Sequence, residues 1–274
     1  MADLSILIRA VEEADSASLL TRAVQNLAAV GLEAAVPTLI AALSYNNPGA
    51  AVAAVDGLVT IGQAAVPALL EQLDQHNYTA RSWTIRALAG IGDPRGLVTL
   101  LGGATADFSP SVRRAAARGL GVMKWQWFPD DLLEIAQAEA LEALLFVAQQ
   151  DEEWVVRYAA VVGLQALAAT LTATDPDGRS QIQAQFEKMA IDDESWAVRA
   201  RILMAQQQIQ AKTSYLLLQP PEEQASPLSA VDWQMILESL YRRKGQERLM
   251  LSEGDPRSYQ AMAVAIAQET NPPH

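Results

Sequence analysis

Cysteine is absent from the 274 residues, so no disulfide, zinc–thiolate centre or thiol nucleophile is available, and any covalent sulfur chemistry must use another protein's thiol. Histidine is nearly as scarce. His76 is the only internal one and His274 is the last residue, so a multi-histidine metal site is excluded and no metal is expected. Basic residues are outnumbered 20 to 32 by acidic ones. A net charge of −12 argues against nucleic acid, because binding a phosphate backbone requires a neutralising basic surface. No apolar run is long enough to cross a bilayer, and MADLSILIRAVEEADSAS lacks the basic start and apolar block of a signal peptide. These features predict a cytoplasmic protein with no membrane insertion. No stretch alternates polar and apolar residues as a strand does.

What is present is apolar material in repeats. Half of the residues are hydrophobic, enough for a substantial core. AAVPTLIAAL at 34–43 returns as AAVPALLEQL at 64–73, and AAVAAVDGLVTIG at 50–62 and ARSWTIRALAGIG at 80–92 keep the same offset of 30, the size of a helical hairpin. Apolar residues recur at three- and four-residue spacing, as in Val55, Leu58 and Ile61 or Ile85, Leu88 and Ile91, which predicts helices with one buried stripe. Helix pairs are expected over 4–30, 33–61, 64–91, 94–123, 131–170 and 177–210. Residues 1–211 therefore read as about six stacked hairpins, and 212–232, with three prolines, as a linker. The C-terminal extension, 233–274, holds a basic amphipathic helix and a shorter alanine-rich one. Its Ile236, Leu237, Leu240 and Tyr241 need a covering surface, so it caps the array or reaches a partner.

Aligning the second helices of the pairs yields a column of Arg81, Arg113, Arg157 and Arg199. Asp107, Asp151 and Asp193 precede the last three by six residues, whereas Arg81 has Gln75 there. Pro37 and Pro67 each lie fourteen residues ahead of a column position. This proline, aspartate and arginine spacing resembles the HEAT repeat. The resemblance implies an all-α, right-handed α-solenoid in which these arginines and aspartates form a structural ladder, a task suited to a bidentate guanidinium.

Outside that column, Arg86 and Arg118 occupy equivalent places on adjacent helices, with Asp56 one unit earlier. Arg114 and Lys124 extend the positive charge, and Trp83, Trp125, Trp127 and Tyr158 add aromatic area, a combination suited to a flat acidic ligand or an acidic surface. For Arg118 and Trp125 the alternatives of a solvated or core role stay open; Trp83, Trp154 and Trp196 read as core. The carboxylates at 151–153 and 192–194 read as helix N-terminal charges, and IGDPRG at 91–96 and EGDPR at 253–257 as aspartate caps followed by proline. His76 reads as a solvated loop residue.

IGDPRGLVTLL at 91–101, SVRRAAARGLGVMKW at 111–125 and WVVRYAAVVGL at 154–164 resemble the HEAT-like repeats of the phycobilin lyases, most closely the E-type subunits of the E/F phycocyanobilin lyases. The resemblance implies a lyase active with an F-type partner as a heterodimer, phycocyanobilin as substrate with no tightly bound cofactor, and a cysteine of the phycocyanin alpha subunit as acceptor. Candidate bilin-binding residues are then Arg86, Arg114, Arg118 and Lys124 for the propionates, Trp125 and Tyr158 for the rings, and Asp56 or Asp93 for the pyrrole nitrogens. No residue stands out as a catalytic acid or base. The alternatives are a non-enzymatic HEAT scaffold in phycobilisome assembly or turnover, and an isomerising lyase subunit.

Overall fold

In the computed structural model, which describes residues 4–74, 78–171, 176–216 and 226–252, the three- and four-residue apolar spacing becomes helix, with no strand among the described residues. The helices are α1 (Leu4–Glu12), α2 (Ala17–Ala28), α3 (Val36–Ala42), α4 (Pro48–Ile61), α5 (Val66–Glu71), α6 (Tyr78–Ile91) and α7 (Leu97–Thr105). They continue as α8 (Pro110–Gly121), α9 (Asp130–Gln150), α10 (Trp154–Ala168), α11 (Pro176–Asp192), α12 (Trp196–Leu216) and α13 (Ala230–Ser252). Two compact units are present, Met1–Pro227 and Leu228–His274.

Local chemistry sets the helix starts. Pro37 and Pro67 lie in the first turns of α3 and α5, where a missing N–H costs no hydrogen bond, each after a short 3₁₀ turn. Ser16 caps α2 by accepting the Leu19 N–H at 3.3 Å, and Asn47 caps α4 by accepting from Ala50 at 3.1 Å. The most apolar stretch, Pro48–Glu71, is not one straight helix: α4 ends at Ile61, Gly62 adopts φ +75°, and α5 begins at Val66.

Within the first unit α1–α12 form six pairs. Each second helix (α2, α4, α6, α8, α10, α12) packs on the next, and first helices α7, α9 and α11 do likewise, giving the two layers of an α-solenoid as expected. The sequence stripe is the core. Val55, Leu58, Ile85, Leu88 and Ile91 are buried, and so are Leu120 and Leu164, seven residues after their ladder arginines. Each such side chain contributes about 1.5–3 kcal/mol by leaving water. Six residues after the ladder position only small residues occur: Gly57, Ala87, Gly119, Gly163 and Ala205. A Cβ on Gly163 would lie 2.4 Å from the Ala117 carbonyl oxygen, and one on Gly119 2.5 Å from Ala89 Cβ, so the second helices approach as closely as these residues allow.

Helix is present at both ends of the stretch 212–232 expected as a linker, of which 217–225 lie outside the described residues. α12 continues through Leu216, because 211–216 holds no proline or glycine, and α13 begins at Ala230 rather than 233. Ser229 and Asp232 form the cap of α13: the Asp232 N–H donates to Ser229 Oγ at 3.3 Å and the Ser229 N–H to the Asp232 carboxylate at 2.9 Å. Gln75, His76, His274, the second C-terminal helix and the EGDPR turn lie outside the described residues.

Candidate functional site

The arginine column forms the ladder contacts directly. Arg113 places Nε 2.6 Å and Nη2 3.0 Å from the two carboxylate oxygens of Asp151. Arg157 does the same with Asp193 at 2.8 and 3.0 Å, and Arg81 with Asp107 at 2.9 and 3.1 Å. Each rung ties the second helix of one unit to the turn ahead of the next second helix. The same carboxylates accept the N–H groups of Ser109, Glu153 and Ser195 at 2.8, 2.9 and 2.8 Å, so an aspartate shapes its own turn while holding the preceding unit. Arg113 Nη1 also donates to the carbonyl oxygens of Asp107 and Phe108, and Arg157 Nη1 to those of Asp151 and Glu152. The hydrogen bond to the carboxylate raises the pKa of both guanidiniums above the ordinary arginine value, partly countered by burial. Arg199 meets no aspartate of a following unit among the described residues; its guanidinium stacks 3.9 Å from the Trp196 ring.

Beside the ladder, α4, α6, α8 and α10, with Ala197 of α12, wall a groove of about 880 Å³. Asp56, Arg86, Arg114, Arg118 and Tyr158 all line it, joined by Trp154. Helical spacing explains the meeting. Asp56, Arg86 and Arg118 lie five residues after the ladder position of consecutive units, Arg114 is one turn ahead of Arg118, and Trp154 is one turn ahead of Tyr158. Guanidiniums on α6 and α8 therefore border the same space as two aromatic rings on α10, with Val59, Val122 and Val162 between them. Arg86 also rests over Trp83, its carbon centre 5.3 Å from the ring. The volume falls within the about 300–1,000 Å³ typical of small-molecule sites.

Three expected members do not line this groove. Trp125 is only 3% exposed, packed 5.2 Å from Phe128 in a 3₁₀ turn, and is a core residue. Lys124 places its ammonium 4.2 Å from the Trp127 ring. Asp93 is buried, and both its oxygens are engaged: they accept the Arg95 N–H at 3.0 Å, Nε at 2.9 Å and Nη2 at 2.8 Å, while Arg95 reaches back to the Gln63 carbonyl at 3.1 Å. The GDPRG loop is thus an inter-unit latch, closed by Lys124 N–H donating to Gly92 O at 2.8 Å.

The tryptophans also depart from expectation. Trp154 and Trp196 are 47% and 79% exposed, because they open α10 and α12 three residues ahead of the ladder arginines, off the buried stripe; Trp83 is half-buried. Trp154 is the groove residue that sequence reasoning passed over, although its four-residue spacing from Tyr158 signals a shared face. Arg201 was not singled out by any column. Its guanidinium donates to the Gln165 side-chain oxygen and lies 6.0 Å from the Tyr158 ring, and burial lowers its pKa against the opposing effect of Tyr158.

Comparison with known proteins adds the following. The family described as HEAT repeats matches residues 4–89 and 66–165. A protein of Pseudanabaena tenuis named phycocyanobilin lyase subunit beta is 63% identical over 278 residues, covering 98% of this chain and 99% of its own length. One of Synechocystis sp. named phycocyanin alpha phycocyanobilin lyase CpcF is 55% identical over 162 residues, covering 59% of this chain and 75% of the relative. Among solved structures, a chain from the complex of CpcE and CpcF of phycocyanin lyase from Nostoc sp. matches with 50% identity and a TM-score of 0.58, over 63% of this chain and 98% of that one.

Proposed function

This chain belongs to the HEAT-repeat family of phycocyanobilin lyase subunits, and from that premise we propose that it is one chain of a cytoplasmic heterodimeric lyase, which binds phycocyanobilin in the α4–α10 groove and directs its thioether attachment to a cysteine of the phycocyanin alpha subunit. The observation that carries this is the groove itself, in which Arg86, Arg114 and Arg118 border the same space as Trp154 and Tyr158. Two propionates need cations, and guanidiniums bind carboxylates at two points. A flat conjugated ring system suits the exposed faces of Trp154 and Tyr158. Asp56, the groove's carboxylate, is the candidate to hold the pyrrole nitrogens protonated, so that the chromophore stays electrophilic.

The chemistry asks for positioning. The acceptor thiol adds across the exocyclic double bond of ring A: a sulfur–carbon bond forms, the proton goes to the neighbouring carbon, and nothing leaves or changes oxidation state. Without cysteine, this chain contributes binding and orientation to that step.

Which seat of the heterodimer it takes is our assignment. The 91–125 run resembles E-type subunits, whereas relatives carry the names subunit beta and CpcF. We assign the F-type seat, with an E-type chain as partner. The test is co-expression of this chain, an E-type subunit, phycocyanobilin and the phycocyanin alpha subunit, read by zinc-induced fluorescence after denaturing electrophoresis and by absorption. A covalent band that needs both lyase chains and weakens with Arg118→Ala is expected. Equal attachment without this chain would leave a scaffold role, and a product with a phycoviolobilin spectrum would make the lyase an isomerising one.

A further inference from the structure

Three rungs of the ladder share one arrangement, in which Nε and Nη2 of a second-helix arginine meet both oxygens of an aspartate from the next unit. Arg199 holds the same position on α12. Among the described residues its buried Nε has no hydrogen-bond partner. Its guanidinium lies against Trp196, itself 79% exposed, and Ile191, Leu203 and Met204 add exposed apolar side chains on α11 and α12. A buried, unpartnered guanidinium N–H beside exposed apolar and aromatic side chains is what the centre of a protein interface looks like when its partner is missing.

We propose that this end of the array is the docking surface for the other chain of the lyase pair, which presents a carboxylate to Arg199 as a fourth rung. The proposal rests on the heterodimer reading above. The chemistry of the occupant follows from the repeat: three copies of the same geometry place an aspartate, in the turn ahead of a helix, against this arginine. A second copy of this chain fits poorly. Its equivalent aspartates, Asp107, Asp151 and Asp193, are already engaged by Arg81, Arg113 and Arg157. The partner thus continues the stack, and one charge pair fixes its register while the apolar side chains exclude water around it.

The test is the dissociation constant of the full-length chain with its E-type partner, measured by titration calorimetry. Arg199→Ala and Leu203→Asp are each expected to weaken binding at least about tenfold, whereas Leu19→Asp, an exposed site on α2, leaves it within about twofold. Circular dichroism of each variant checks the fold, and a benzoylphenylalanine placed at Trp196 in the otherwise unaltered chain should photo-crosslink to the partner. Unchanged affinity in both variants, or crosslinking to a second copy alone, overturns the docking surface while leaving the heterodimer intact. If the unaltered chain forms no complex at all, the heterodimer reading fails and the proposal with it.

Discussion

Arg113 and Asp151 join adjacent units through two parallel hydrogen bonds, 2.6 and 3.0 Å long, with both side chains mostly sequestered from water. Truncating either one strands the other beside a buried join. Arg113→Ala or Asp151→Ala is expected to lower stability by about 3 kcal/mol, read from urea unfolding followed by circular dichroism. The double variant should cost less than the sum of the two, because the residues act as a pair.

The same rungs predict how stability depends on pH. Arg113 and Arg157 have pKa values raised on folding, mainly by their aspartate hydrogen bonds. A group raised in this way stabilises fully below its unfolded pKa, and the contribution fades only as pH climbs through the folded one. Arg113 and Arg157 therefore add no pH dependence between about pH 7 and 10. Arg157→Lys should bring the loss down into the range around the ordinary lysine pKa of about 10.4, seen as a steeper alkaline fall in Tm than that of the parent chain.

Close helix approach makes two glycines irreplaceable. A Cβ on Gly121 would sit 2.2 Å from the Gly163 carbonyl oxygen, between α8 and α10. Gly121→Val or Gly163→Val should cost roughly 2–3 kcal/mol or more through overpacking. Gly102, inside α7, would meet nothing within 4 Å, so Gly102→Ala should stabilise by about 0.5–1 kcal/mol. Thermal unfolding of the three variants separates the cases.

For the groove, Arg118→Ala and Arg86→Ala should each weaken phycocyanobilin binding by roughly tenfold, the loss of one charge-assisted contact. Lys124→Ala should leave it within about twofold, since its ammonium faces Trp127. Fluorescence titration of the lyase pair with the free bilin measures both.

Asp56→Asn removes the groove's carboxylate while keeping its shape. The absorption band of the bound bilin should then move toward that of the unprotonated chromophore at neutral pH, with affinity changed less than in Arg118→Ala. An unshifted spectrum would remove Asp56 from that role.

Much of the fold was legible because stacking turns sequence offset into space. The repeat of 30 residues and the recurring arginines map onto adjacent helices, and the groove's charged members were found through the same column. Where that projection fails, so did the placement of residues. Trp125 and Lys124 belong to or border a 3₁₀ turn, where helical spacing no longer says which way a side chain points. Between Asp56 and Asp93 the spacing does not choose; the structure puts Asp93 outside the groove, held by Arg95 folding back on it. Trp154 and Trp196 were assigned to the core by residue type, although their place at the helix starts takes them off the stripe. Helix α12 runs past its expected end because 211–216 holds no proline or glycine to interrupt it.

The rungs join residues 26, 38 and 36 positions apart, so no ladder contact spans the array. Chains dominated by such local contacts have low contact order and fold quickly, one neighbour at a time. Domains assemble from the N-terminus as synthesis proceeds. Growing on the ribosome, this chain would expose α4 to α10, which carry every charged and aromatic residue lining the groove, before α12, which adds only Ala197 to it.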